Sequence, residues 1–256
     1  MLARAYYQSD IQEFLERSED QILGELSRNS EQNLADTQRY AWTEQIRHLK
    51  EVLQEHQGHI AFEFVIPRIG KRADVVLLID GIVYIVEYKV GANSYDRQSI
   101  DQAYDYVLDL KNFHAASHNL PIVPILVATN GRPDSIHPNW DQDGVASPAC
   151  ANKETLLEAI AAHKIAEQGP IDATDWLASR YKPTPTIVEA ARALYAHHDV
   201  HEISHSEGSD NLGVTSEIIE GVIEDSKRNG CPGIHKAERG QRPPRLLRGS
   251  SDGSGP

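Results

Sequence analysis

Hydrophobic residues recur along the first half of this chain with two different periods, and the switch between them marks out its elements. From about Leu34 to Leu53, Ala41, Trp42, Ile46, Leu49 and Leu53 recur at three- and four-residue steps, the spacing of one buried helical stripe. Ahead of it, Ser9 and Asp10 precede Ile11, Phe14, Leu15, Ile22 and Leu26, which predicts a capped helical extension over residues 1–33. The period then drops to two. HIAFEFVI (59–66) reads as a strand closed by Pro67, and ADVVLLI and IVYIVEYK are β-branched runs joined by Asp80-Gly81, a strong hairpin signal. Residues 95–116 return to helical spacing through Ile100, Ala103, Tyr104, Val107, Leu108 and Leu110, and IVPILVAT (122–129) is a buried strand ending at Asn130-Gly131.

Residues 34–129 therefore predict helix, three strands, helix, strand: an α/β fold of order αβββαβ, whose second helix is the crossover that parallel strands require. Beyond it, the pattern predicts an amphipathic helix over 153–167, a rigid connector at YKPTPT, and helices over 187–197 and roughly 215–228. Four segments follow: a helical extension (1–33), the α/β domain (34–180), a helical connector (181–230) and a tail (231–256). The tail, CPGIHKAERGQRPPRLLRGSSDGSGP, has the Gly-, Pro- and Arg-rich composition of a flexible segment. Because a regular helix gives way to it abruptly, a frameshifted reading of the same stretch stands beside the natural-tail reading.

Composition narrows the function classes. No apolar run reaches the ~18 residues of a membrane span, and MLARAYYQSDIQEFL lacks the apolar core of a secretory signal. Cys150 and Cys231 are far apart and form no ligand cluster, so a reducing cytoplasmic setting is expected. The formal charge is −13, which argues against coating nucleic acid by bulk attraction. It is unevenly spread: 18 basic and 36 acidic residues precede Lys227, and seven basic and two acidic residues follow from there. Nucleic acid would have to meet a local basic patch or a bridging divalent cation.

The candidate chemistry lies in RADVVLLIDGIVYIVEYKVG (72–91). Charge inside a strand is costly unless paired or bound to a metal, yet Arg72 and Asp74 open the first run, and Glu87 and Lys89 interrupt the second. Residues two apart on a strand share a face, so Glu87 and Lys89 project together, with Asp74 able to approach from the neighbouring strand. Two close carboxylates repel one another, and a divalent cation such as Mg²⁺ or Mn²⁺ relieves that repulsion through oxygen coordination. An adjacent amine could orient water or stabilise charge on a phosphate.

Here the chain resembles the restriction-endonuclease-like, or PD-(D/E)xK, nuclease superfamily, through Asp74 … Glu87-Tyr88-Lys89, the intervening hairpin and the αβββαβ order. The resemblance implies a restriction-endonuclease-like core with added N- and C-terminal helices. It implies that Asp74 and Glu87 bind metal and that Lys89 assists hydrolysis. It further implies an acidic ligand from the preceding helix, for which Glu44 is the choice and Glu55 the reserve. Gln102, with Tyr106 one turn on, matches the polar pair that many members carry on the crossover helix. Arg68, Lys71 and Arg72 form the basic approach expected to meet phosphate.

PRIGKRADVVLL, VYIVEYKVG, DQAYDYVLDLKNFH and YKPTPTIVEAARALY resemble, more narrowly, the N-terminal part of bacterial proteins with a Schlafen-type DNA/RNA helicase domain. There a P-loop ATPase would follow, so the resemblance implies a chain truncated before that P-loop, with 181–230 either a helical connector or the start of a truncated helicase domain. This chain has no GxxxxGK[ST], so no ATP site is visible and neither ATPase nor helicase activity is expected of it.

Each feature has a plainer alternative. Asp74 could be an edge-strand charge that discourages aggregation, and Glu87 with Lys89 a surface ion pair of small worth. His197, His198, His201 and His205 lack nearby cysteines and are not read as a metal site. Trp42, Trp140 and Trp176 are too dispersed for a base-stacking platform. The leading expectation is Mg²⁺- or Mn²⁺-dependent hydrolysis of DNA or RNA. A non-catalytic nucleic-acid-binding or scaffolding domain, serving an ATPase or helicase partner, is the alternative.

Overall fold

The computed structural model describes residues 4–30, 36–66, 70–132, 135–165 and 168–183. Arg68, the helices expected over 187–197 and 215–228, the four C-terminal histidines named above and the tail lie outside the described residues. What is described is a mixed α/β fold: a six-stranded sheet of order β1-β2-β3-β4-β5-β6 with helices on both faces.

The expected elements form close to where the periodicities put them. The first long helix, α3, runs Asp36–Val52, followed by β2 (His59–Ile66), β3 (Lys71–Ile79), β4 (Ile82–Lys89), α4 (Arg97–Phe113) and β5 (Ile122–Ala128). Strands β2, β3 and β4 form an antiparallel meander, and α4 carries the chain across to β5, which pairs parallel with β4. The hairpin turn at Asp80-Gly81 has φ +50° and +77°, both left-handed, the type I′ geometry that matches strand twist. Asp96 caps α4 by accepting from the Ser99 amide.

The N-terminal extension is more than helical. A short strand β1 (Tyr7–Asp10) adds antiparallel to β2 before α1 (Ile11–Glu16) and α2 (Glu19–Asn29). Ser9 and Asp10, read as caps, belong to that strand; Ser9 Oγ bonds the Tyr7 hydroxyl at 2.8 Å, and Asp10 makes no side-chain cap bond. The break between α1 and α2 is set by a capping box, Ser18 with Gln21. Lys50 of α3 closes the end of α1, donating to the carbonyls of Phe14, Leu15 and Arg17 at 2.6, 2.8 and 2.7 Å; these are among the acceptors a helix terminus leaves without partners. Towards the other edge, β6 (Ala149–Ala151) pairs parallel with β5, and α5 (Leu156–Ala162) and α6 (Ala173–Ala178) follow.

Two cores sandwich the sheet. On one face Ile60, Phe62, Val75, Leu77, Tyr84 and Val86 pack with Trp42, Ile46 and Leu49 of α3. On the other, Val76, Leu78, Val83 and Ile85 pack with Tyr106, Val107 and Leu110 of α4 and with Trp176. No helix among the described residues is long and apolar enough to cross a membrane.

Candidate functional site

The hairpin β3–β4 pairs regularly from its turn down to Val75 opposite Val86. Below that rung the backbone ladder stops and side chains take over. The Asp74 amide donates to Glu87 Oε1 at 3.2 Å, and the Tyr88 amide donates to Asp74 Oδ2 at 2.8 Å. Each carboxylate is thus fixed by a main-chain N–H of the opposite strand. Gln102 of α4 donates from Nε2 to Glu87 Oε2 at 3.0 Å and to the Tyr106 hydroxyl at 2.8 Å. Gln102 and Tyr106 lie one turn apart on the helix face turned to the sheet.

The electrostatics follow from this packing. Glu87 is 2% exposed. Burial raises its pKa well above the ordinary carboxylate range; the Asp74 charge adds to that, and the Asp74 amide and Lys89 oppose it. Asp74 is raised as well, to about 7, first by burial and then by Glu63, against the Tyr88 N–H and Lys89. Burial is the first cause for both acids, and close carboxylates out of water resist ionising together. Lys89 lies on the Glu87 side of the strand and its charge acts on both carboxylates. Its amine makes no hydrogen bond or ion pair among the described residues. Burial and the Glu87 carboxylate push the Tyr106 hydroxyl up to about 12, so it stays protonated.

Asp74, Glu87, Lys89 and Gln102 therefore assemble into one constellation. The other candidates do not join it as a group. Glu44 is occupied elsewhere, by Lys153 at 2.6 Å and Arg47 at 3.1 Å, which hold its pKa low. Among the described residues no group of three or more His, Cys, Asp or Glu side chains is disposed to hold a metal ion, so Glu44 does not complete a set with Asp74 and Glu87. Lys71 and Arg72 divide between the two faces. The Lys71 amine sits 5.9 Å from the Tyr106 ring centre, on the α4 side with Glu87. Arg72 bonds Glu63 at 3.2 Å and lies over the Tyr6 ring at 4.8 Å, both contacts on the α3 side. The compact basic approach is thus reduced, among the described residues, to Lys71 and Lys89.

Two residues beside the site, Glu63 and His48, were not read from the sequence. Glu63 of β2 is 8% exposed and has φ +52°, a left-handed backbone that costs a non-glycine residue roughly 1–2 kcal/mol. Its Oε1 accepts from Trp42 Nε1 at 2.8 Å and Gln38 Nε2 at 3.1 Å, and its Oε2 from Arg72. Tyr88, between the two site residues of β4, points to the opposite face. There its hydroxyl bonds His48 Nδ1 at 2.9 Å, while His48 Nε2 bonds the Lys153 carbonyl at 2.9 Å. The His48 ring is held neutral by burial.

The donor chemistry suits a small hard cation. Two carboxylates and no nitrogen or sulfur ligand is a set that Mg²⁺ accepts, because Mg²⁺ keeps several waters and takes one or two carboxylates together with substrate phosphate. A dedicated all-protein cage would need more ligands than stand here. Compared with models of known protein families, with curated proteins and with solved structures, the chain matches none.

Proposed function

We propose that this domain hydrolyses nucleic-acid phosphodiester bonds with a divalent cation, Mg²⁺ or Mn²⁺, held by Asp74 and Glu87, and that its core is of the restriction-endonuclease-like αβββαβ type. The observation that carries the reading is the acidic pair itself, buried, adjacent and backbone-anchored, with a half-buried unpaired amine on the same side. A pair that only closed the strands would need neither charge nor Lys89. When bound, the cation would polarise the phosphate and lower the pKa of a water. Glu87 is kept in one orientation by Gln102, which Tyr106 holds in turn. Lys89 offers a donor where negative charge gathers on phosphate, in a site shielded enough for that interaction to be strong. Lys71, on the same side, is placed to hold a neighbouring phosphate, which positions the strand without reading its bases.

The element order, the hairpin and the D-x12-E-x-K spacing support the family reading. The narrower likeness to Schlafen-type helicase proteins would make the domain the nuclease-like partner of an ATPase. One observation favours a second, non-catalytic reading: each carboxylate already accepts a main-chain N–H, so the pair can latch the strand ends without an ion.

The test is cleavage of a mixed panel of single- and double-stranded DNA and RNA with Mg²⁺ or Mn²⁺. Glu87→Gln and Lys89→Met should fold and bind nucleic acid, yet lose cleavage by about 10²–10³-fold, the usual worth of a positioned charge in a reaction. Equal cleavage by wild type and both variants rejects the assignment. Binding with no metal-dependent cleavage by wild type selects the non-catalytic reading.

A further inference from the structure

We propose that Glu63 is a positioning residue: its left-handed backbone creates the interruption in strand pairing that delivers the Asp74 carboxylate to β4. The functional weight of this inference rests on the nuclease reading; its structural content does not.

The register locates the interruption. Phe62 pairs with Val75 and Phe64 with Ala73, leaving Glu63 and Asp74 as the facing, unpaired residues between them. Equal numbers of residues separate the two rungs on each strand, so this is not a bulge, which inserts an extra residue on one side. Both strands nevertheless reverse their faces at this rung. On β2, Ile60 and Phe62 belong to the α3-side core, whereas Phe64 and Ile66 belong to the α4-side core. On β3, Val75 and Leu77 face α3 whereas Ala73 faces α4. An unbroken strand keeps residues two apart on one face, so each chain has made an extra half-turn.

Of the two facing residues, Glu63 alone has a positive φ. Such a conformation persists where the surroundings over-determine it, and they do so here: Trp42, Gln38 and Arg72 occupy both carboxylate oxygens. With those oxygens engaged, Glu63 is not a third metal ligand. The reversal it starts in β2 is matched in β3, and there it takes Asp74 out of the ladder. The Asp74 carboxylate then reaches the Tyr88 amide, and Lys71 turns to the α4 side.

The experiment uses three variants in the full chain. Glu63→Gly accepts the positive φ but loses the anchors; Glu63→Gln keeps acceptors for Trp42; Glu63→Val rejects the left-handed conformation and favours a continuous strand. Amide hydrogen exchange is followed at Tyr88, next to the interruption, and at Leu77, within the regular hairpin, and Mn²⁺ affinity is measured by calorimetry. Glu63→Val should lose Tyr88 protection at least tenfold with Leu77 unchanged, and should bind Mn²⁺ about tenfold more weakly. Glu63→Gly and Glu63→Gln should each lose less than threefold in Tyr88 protection. Unchanged Tyr88 protection in Glu63→Val, or equal losses at Tyr88 and Leu77 in all three variants, overturns the proposal. Should Glu63→Val not fold, a Glu63→Gly variant losing as much Tyr88 protection as Asp74→Ala, which removes the acceptor, overturns it, and a smaller loss supports it. If wild type neither binds Mn²⁺ nor cleaves, the nuclease reading fails while the exchange data still decide the role of Glu63.

Discussion

The two ends of the β3–β4 hairpin are built from the same strands and obey different rules. At the turn end, Val75 to Ile79 and Ile82 to Val86 pair rung by rung, and all but the turn itself are buried apolar residues. At the open end, the Asp74 and Glu87 side chains replace the ladder and β3 has already reversed its faces. The first end minimises free energy locally. The second accepts buried charge and backbone strain, and such departures are expected where a protein needs chemistry rather than packing.

The contrast can be broken at either end. The largest effect on stability should come from Ile85→Ala, because Ile85 is wholly buried in the α4-side core. Removing such a side chain costs about 2–5 kcal/mol, readable from the urea midpoint. Gly81→Ala should follow, at about 2 kcal/mol, since alanine resists the left-handed φ. Its Cβ would also stand 2.5 Å from Gln168 Cβ and 2.6 Å from the Gly169 carbonyl oxygen. Neither substitution touches Asp74, Glu87 or Lys89, so on the proposed function the folded fraction should cleave at close to the wild-type rate.

The open end should respond with the opposite sign. Asp74 is raised from its ordinary value of 3.8 to about 7, so the folded protein holds a proton that the unfolded chain releases. Metal-free stability attributable to this pair therefore falls as pH climbs through that window. Neutral His48, His114 and His163, all depressed by burial, act in reverse and lose stability as pH falls. The difference between wild type and Asp74→Asn isolates the pair. By thermal unfolding, Asp74→Asn should be the more stable protein at pH 7.5, with the gap narrowing towards pH 4 and closing when Mn²⁺ is added. A gap that did not change with pH would show that the pair is not short of charge compensation.

The smallest effect sharpens the division of the basic residues. Lys71→Ala should weaken nucleic-acid binding a few-fold and reduce the salt slope by about one. Arg72→Ala should leave the slope alone and lower stability, since Arg72 serves Glu63. Equal salt slopes for the two variants would restore the single basic cluster.

Much of the constellation was legible beforehand, for a physical reason. Period-two patterning puts Glu87 and Lys89 on one face, Asp80-Gly81 sets the hairpin register, and helical spacing brings Gln102 and Tyr106 together. What escaped depends on contacts distant in sequence. Glu63 sits in HIAFEFVI as an ordinary polar interruption, and nothing about glutamate announces a positive φ. Glu44 lies on α3, but Lys153, brought close only by folding, takes its carboxylate. Strand β1 went unread because YQSD is only four residues long and its Ser-Asp resembles a helix cap; β6, at three residues, is shorter than any periodicity can reveal.

The bond from Tyr88 to His48 has a mechanical consequence. The backbone that carries Glu87 and Lys89 is bolted through the sheet to α3 and, beyond it, to the Lys153 loop, so neither side chain can swing by rotating the strand. Side chains mounted this way sit on a rigid jig: whatever approaches them has to do the fitting.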